Sequence, residues 1–184
     1  YVHQLTPRAI TLFEVLRLHG YEVRLTMSGD HTNFYGLRQA YGEVDSYFDG
    51  SMARGFYMND DELVLDHVRS MDDWNGRPVM MQFHMMSSHG LGKRHEAFQR
   101  YEPWLNYYRP GAKELAKNSP SRRSEAVNFY DNGVLQFDEM VRQLIGALGE
   151  KGYLKNALVV ITADHGEMLG EYGEFSHSKT VHEA

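Results

Sequence analysis

One apolar run that ends abruptly in charged residues constrains this chain more than any other feature. Residues 158–161 are apolar and mostly β-branched, and Asp164, His165, Gly166 and Glu167 follow them. Such a run predicts a strand buried on both faces of a parallel sheet. Ligands bind outside the carboxyl ends of such strands, where a carboxylate and an imidazole can both bind a cation. The alternative is a helix N-cap at Asp164, with His165 exposed to solvent.

The periodicity of the other apolar residues predicts the fold class. Residues 21–27 and 79–86 have the patterns of strands. Helices are predicted over residues 60–71 and 125–151, and a first helix is predicted to start at Thr6. Strands that alternate with helices at these separations predict an α/β fold whose mainly parallel sheet is covered by helices on both faces.

Three further stretches have weaker patterns. Residues 33–41 indicate a short helix and residues 44–48 a short strand. Residues 91–124 are polar and aromatic, and they indicate a long excursion over the surface. Excursions of that length in a compact domain are often functional.

A second polar turn follows the predicted strand at residues 79–86, and it contains Ser87, Ser88, His89 and Gly90. Because parallel strands place their carboxyl ends at one edge, His89 and Asp164 are expected to open on the same crevice. The alternative for His89 is an ordinary turn residue. The remaining histidines before residue 100 are predicted to be structural or exposed to solvent: His3, His19, His31, His67, His84 and His95.

Composition excludes several classes of protein. The 184 residues are 42% hydrophobic and 24% charged, which is ordinary for a globular domain. The formal net charge of −6 argues against a nucleic-acid partner, which would need a basic surface. The chain has no cysteine, and therefore no disulfide or thiol chemistry. No apolar run approaches the ~18 residues of a transmembrane helix, so no membrane span is expected within this sequence.

The residues after Glu167 continue in a recognisable order: Leu169-Gly170-Glu171-x-Gly173, then His177, Lys179 and His182-Glu183. This order and spacing resemble the sulfatase family of the alkaline phosphatase superfamily, which includes sulfatases, phosphodiesterases, phosphoethanolamine transferases and lipoteichoic acid synthases. The stretch from Phe83 to Gly90 is similar to the His-x-x-x-Ser-His-Gly stretch of the phosphoethanolamine transferases. The resemblance implies an alkaline-phosphatase-like fold, with residues 1–184 as the C-terminal-side part of one catalytic domain.

The resemblance also implies roles for particular residues. Asp164 and His165 would be ligands of a divalent cation, which is calcium, zinc or manganese in different branches of the family. His89 would contact the substrate or a second metal ion, and His177 would bind the transferred group or protonate the leaving group. Lys179 would hold an anionic oxygen, although a solvated loop lysine is an equal alternative.

The family's nucleophile lies towards the N-terminus, next to an acidic metal ligand, and this sequence shows neither. The stretch from Asn118 to Arg122 resembles the Cys/Ser-x-Pro-x-Arg motif, but asparagine cannot act as the nucleophile, so a loop is expected there. His182 also departs from the tyrosine that many sulfatases have before the residue matching Glu183. The chain alone is therefore expected to be inactive.

The function implied first is metal-dependent hydrolysis of a sulfate or phosphate ester, carried by a small molecule or a lipid. One alternative is a phosphoethanolamine or phosphoglycerol transferase that acts on lipids of the membrane or cell envelope. The other is a non-catalytic relative that binds an anion. The resemblance favours a periplasmic, extracellular or membrane-anchored location, with any anchor outside this sequence.

Overall fold

The computed structural model describes residues 10–29, 38, 41–51 and 59–177. Short 3₁₀ turns occur at Glu96–Phe98 and Glu171–Gly173. The α-helices and strands follow in chain order: α1 Leu12–Leu18, β1 Glu22–Met27, β2 Ser46–Asp49, α2 Asp61–Ser70, β3 Val79–His84, α3 Ala112–Asn118, α4 Pro120–Glu150, β4 Met168–Leu169 and β5 Phe175–Ser176.

Strands β2, β1 and β3 form a parallel sheet in that order, with β1 in the middle. Leu25 of β1 lies opposite Tyr47 on one side and Gln82 on the other. The apolar side chains Val23, Leu25 and Met27 of this central strand are completely or almost completely buried. The parallel sheet confirms the predicted α/β class. Strands β4 and β5 form a separate antiparallel pair.

Helices α2 and α4 form the main hydrophobic core with β3. Asp60 caps α2 by accepting a hydrogen bond from the backbone N–H of Glu62 at 3.2 Å. The core joins these helices through apolar residues spaced three or four apart, against which Met81 and Phe83 of β3 pack: Val64, Leu65, Val68, Met140, Leu144, Ala147 and Leu148. Within the described part of the chain, no helix is both long enough and apolar enough to cross a membrane.

The helix predicted from residue 125 starts earlier than expected, and the first helix is described from its N-cap at Thr11 onwards. Helix α4 begins at Pro120, where a missing backbone N–H costs nothing, so the expected loop around residue 120 is the junction of α3 and α4. Helix α1 begins after Thr11, whose side chain accepts from the N–H of Glu14 at 3.2 Å in a capping box. The predicted start at Thr6 and most of the predicted helix at 33–41 lie outside the described residues.

The predicted buried strand at residues 158–161 is wrong in this structure. These residues form no strand, and Leu158 and Val160 are 90% and 73% exposed. A strand buried on both faces needs paired neighbours and covering helices. The described strands β1, β2 and β3 pair with one another, and none of them pairs with this run. The apolar pattern of residues 158–161 is typical of a buried strand. Burial also needs neighbouring strands and covering helices, which the pattern does not encode.

The predicted surface excursion at residues 91–124 is also wrong in part. It contains α3, and its Tyr107 and Ala116 are 1% and 0% exposed. Both belong to a second core cluster, together with Ala126, Phe129 and Phe175. Burial of aromatic surface offsets the entropy cost of ordering this segment. The excursion therefore packs against α4 and β5 and can position side chains.

Two glycines of α4 give a matched test of this packing. A methyl group at Gly133 would lie 2.5 Å from the carbonyl oxygen of Ser87 and 2.5 Å from Nη2 of Arg94, whereas one at Gly146 would meet nothing within 4 Å. We expect Gly133→Ala to lower the free energy of unfolding by about 1–3 kcal/mol because of overpacking. Gly146→Ala should raise it by about 0.5–1 kcal/mol through helix propensity. Urea unfolding followed by circular dichroism measures both, and equal stabilities would contradict the close approach at Gly133.

Candidate active site

The turn after β3 is fixed by side chains of two helices. The buried carboxylate of Asp61, in the first turn of α2, accepts hydrogen bonds from the backbone N–H groups of Met86 and Ser87, each at 2.8 Å. From α4, Nε2 of Gln136 donates to Oγ of Ser87 at 2.8 Å and to the carbonyl of Lys93 at 2.8 Å. The backbone before His89 is thereby held in one conformation.

The backbone of His89 itself is held by Arg94. The guanidinium Nη1 donates to the carbonyl oxygens of His89 and Gly92, each at 3.2 Å, and the guanidinium carbon lies 4.4 Å from the centre of the Phe129 ring. Burial lowers the pKa of Arg94 to about 10, which still leaves it protonated at neutral pH. The turn that contains His89 is thus organised around a buried positive charge.

Glu167 joins the C-terminal segment, residues 164–177, to the segment at residues 91–124, which was predicted to run over the surface. Its Oε2 lies 2.7 Å from Nδ1 of His177, and its Oε1 accepts hydrogen bonds from the hydroxyls of Tyr107 and Tyr108 at 3.0 and 3.1 Å. Burial, reinforced by the charge of Glu167, raises the pKa of both phenols well above the ordinary value. Both tyrosines therefore stay protonated and donate to the carboxylate.

Three histidines converge beside Glu167. The ring centres of His165 and His177 are 4.1 Å apart, and those of His89 and His177 are 5.4 Å apart. One ligand atom from each of His165, Glu167 and His177 lies within 4.8 Å of the other two. Nδ1 of His177 already contacts Glu167, which leaves His165 and Glu167, with the neighbouring Asp164, as donors to a cation. Imidazole and carboxylate donors suit zinc and similar divalent cations. The residues present therefore fit the cation that the sequence predicts.

The structure places the other predicted site residues less centrally. The Asp164 side chain is 77% exposed, and its Oδ2 lies 3.5 Å from Nε2 of His165. Lys179 lies outside the described residues, as do His182 and Glu183. The structure thus brings together His89, His165 and His177, with Asp164 at the rim. The chemical roles of these residues remain predictions.

Comparison with known proteins places this arrangement in a family. The Sulfatase family model matches residues 2–184 of the chain. The chain belongs to the Sulfatase family.

The chain is also similar to three curated relatives. It is 30% identical over 105 residues to Phosphatidylethanolamine transferase Mcr-1 of Escherichia coli, a match that covers 56% of this chain and 18% of that protein. It is 29% identical over 113 residues to Phosphatidylethanolamine transferase Mcr-2 of Escherichia coli, covering 58% of this chain and 20% of that protein. It is 26% identical over 117 residues to Phosphoethanolamine transferase EptA of Salmonella typhimurium, covering 64% of this chain and 20% of that protein. The matches span about a fifth of each relative's length. No solved structure matches the chain.

The sequence patterns did not indicate three residues of this candidate site. Glu167 belongs to the polar turn that the sequence singled out, but no role was assigned to it. Tyr107 and Tyr108 lie in the segment that was predicted to run over the surface. The useful signal was the density of aromatic residues in that segment, because aromatic side chains are seldom left fully exposed.

A second group of metal-type ligands has a different explanation. Asp60, Glu62 and His95 lie close enough to share an ion, but the Asp60 carboxylate already contacts Nζ of Lys93 at 2.8 Å and Nε2 of His95 at 2.9 Å. Burial raises the pKa of Asp60, but the hydrogen bonds from Lys93 and His95 outweigh burial and hold this pKa below its ordinary value. A lysine ammonium occupies the position that a cation would take, so this group ties the segment after His89 to the start of α2.

Asp61 and Asp66 of α2 give a test of how the His89 turn is held. Asp61→Ala leaves two buried N–H groups without their acceptor, so we expect a loss of about 2–4 kcal/mol in the free energy of unfolding. Asp66→Ala removes only an exposed ion pair with Arg69 and should cost less than about 0.5 kcal/mol. Thermal or urea unfolding of both variants measures the difference. A similar, small loss in the two variants would show that Asp61 does not hold the turn.

Proposed function

We propose that this chain supplies part of the active site of a metal-dependent enzyme that cleaves a phosphate ester and transfers phosphoethanolamine. We assign residues 1–184 to one partial catalytic domain. The observation that carries the proposal is the convergence of His89, His165 and His177 with Glu167 beyond the carboxyl end of β3. The similar proteins are two phosphatidylethanolamine transferases and one phosphoethanolamine transferase, and these names support phosphoethanolamine as the transferred group.

His177 is assigned to the leaving group or the transferred group. Its Nδ1 is engaged by Glu167 at 2.7 Å, so Nε2 is the nitrogen left to act. When Nε2 also carries a proton, the imidazolium can protonate a leaving oxygen or donate a hydrogen bond to a developing negative charge. His89 comes from a separate, firmly held turn, and its ring centre lies 5.4 Å from that of His177. We assign it to binding the transferred phosphoryl group.

Asp164 and His165 would hold the divalent cation, with the carboxylate of Glu167 within reach of the same position. A bound divalent cation would neutralise phosphoryl oxygens and lower the pKa of a nucleophile. Imidazole ligands favour zinc or manganese over calcium. Lys179 would add a positive charge towards an anionic oxygen, as a point charge without fixed geometry.

Hydrolysis of a sulfate or phosphate ester is the second candidate, and the Sulfatase family match favours it. The two candidates differ in what accepts the transferred group: water in a hydrolase, a second molecule in a transferase. The test uses the full-length protein with phosphatidylethanolamine vesicles, and with and without a lipid acceptor. We expect diacylglycerol release that depends on the acceptor. Release of free phosphoethanolamine alone would favour the hydrolase, and cleavage of aryl sulfates but not phosphatidylethanolamine would contradict the transferase.

Replacing Asp164 and His177 separately should give different failures. Asp164→Ala removes a charged ligand, so bound metal and activity should fall together on every substrate. His177→Ala should keep the metal and lose about 10²- to 10⁴-fold in activity on an alkyl ester, with a smaller loss on an aryl ester whose leaving group needs little protonation. Metal content and kcat/KM on both esters measure this.

The exposed His19 at the end of α1 gives the control, because His19→Ala removes an imidazole far along the chain from the site. It should match the wild type in metal content and activity. If His177→Ala loses metal in step with activity, His177 is a ligand and the assigned role is wrong. Equal losses on the two esters with metal retained would instead mean that His177 positions the transferred group.

A further inference from the structure

The hydroxyl of Tyr108 occupies the centre of the site. It lies 3.1 Å from Oε1 of Glu167, 3.1 Å from Oγ of Ser176, 3.3 Å from Nδ1 of His177 and 3.5 Å from Nε2 of His89. These partners come from two distant parts of the chain, the turn after β3 and the C-terminal segment. Tyr108 is therefore a point at which both histidine-bearing segments meet.

The ring of Tyr108 is also fixed against the His89 turn. Its ring centre lies 4.9 Å from that of His89, and a Cβ at Gly90 would overlap the Tyr108 ring. Asn106 ties the two segments together, because its Oδ1 accepts from the backbone N–H of Tyr108 at 2.9 Å and its Nδ2 donates to the carbonyl of Gly90 at 3.4 Å. The glycine after His89 is thus needed to make room for this aromatic ring.

The donors and acceptors around Tyr108 determine where its proton and that of His177 lie. A phenol has one proton to donate, and an ionised carboxylate can only accept. The Tyr108 proton therefore goes to Oε1 of Glu167, which also accepts from Tyr107 at 3.0 Å. The other oxygen of Glu167 accepts from Nδ1–H of His177 at 2.7 Å. The neutral form of His177 then has its lone pair on Nε2.

We propose that Tyr108 is a positioning residue, which acts through Glu167 to hold His177 in its Nδ1–H tautomer and through its ring to hold the turn that contains His89. The proposal deepens the proposed function and rests on it for the catalytic roles of the two histidines. The adjacent Tyr107 contacts the same oxygen of Glu167, and its ring lies at a 47° tilt to that of Tyr108 with ring centres 5.1 Å apart. Tyr107 thereby supports the arrangement from behind.

The first test reads the tautomer and does not depend on activity. Two-dimensional ¹⁵N spectra of histidine side chains are recorded on the full-length protein at a pH where the imidazole of His177 is neutral. We expect His177 in the Nδ1–H form in the wild type, and a shift towards the Nε2–H form in Tyr108→Phe. The control Tyr153→Phe removes a hydroxyl that binds Arg24 and the Asp72 carbonyl instead, and should leave the spectrum unchanged. An unchanged His177 signal in Tyr108→Phe would overturn the proposal.

The second test is kinetic and uses whichever ester the wild type cleaves. We expect Tyr108→Phe to lower kcat by about 10- to 100-fold, with KM and melting temperature close to those of the Tyr153→Phe control. If Tyr108 acts through Glu167, adding Tyr108→Phe to a Glu167→Gln variant should cost no more than about threefold further. Multiplied losses, a rise in KM at unchanged kcat, or a fall in kcat that follows lost stability would each overturn the proposal.

The two tests separate this inference from the proposed function. A wild type that cleaves no phosphate or sulfate ester refutes the proposed function, while the tautomer of His177 still decides whether Tyr108 holds it. If the wild type cleaves esters but His177 has the same tautomer in Tyr108→Phe, only the inference is refuted.

Discussion

The carboxylate of Asp61 is the interaction on which the site depends most. It lies at the start of α2, is 1% exposed, and binds the N–H groups of Met86 and Ser87 where β3 ends. A buried carboxylate is stable only when its oxygens are satisfied by donors, and two backbone N–H groups satisfy them here. The same contact therefore stabilises the packing of α2 and fixes the path of the chain towards His89. Fold and site are coupled through one side chain.

Local sequence patterns predicted the helices and strands that local sequence determines. Helices α2 and α4 follow from apolar residues at three- and four-residue steps. Strand β1 follows from alternating apolar and polar residues, and β3 follows from a short apolar run bounded by turns. The prediction that His89 lies near the Asp164-His165 turn used only the rule that parallel strands end at one edge. His89 and His165 do approach each other through His177. The route differs from the expected one, because residues 158–161 form no strand.

The features that the sequence did not predict depend on contacts between residues that lie far apart in the chain. Whether the run at residues 158–161 pairs depends on strands that the run itself does not encode. The role of Glu167 became visible only when Tyr107 and Tyr108, about sixty positions earlier, were found beside it. A polar, aromatic stretch has the same local pattern whether it lies in solvent or folds onto a helix. Long-range side-chain contacts therefore decide the site, and periodicity contains no information about them.

The charges of the site favour the binding of a cation. Asp164 and Glu167 are both carboxylates, and a phosphate monoester, a phosphate diester or a sulfate monoester brings at least one more negative charge. Lys113 offsets part of this, with Nζ 4.7 Å from the centre of the Tyr108 ring, while the guanidinium Nη1 of Arg94 is engaged by backbone carbonyls. The two phenols are neutral, so they distribute the charge of Glu167 without cancelling it. Like charges repel near the largely buried Glu167, although solvent screens the exposed Asp164, and a divalent cation beside Asp164 and His165 would offset the excess. The carboxylates of this chain thus favour metal dependence on electrostatic grounds, independently of the family to which it belongs.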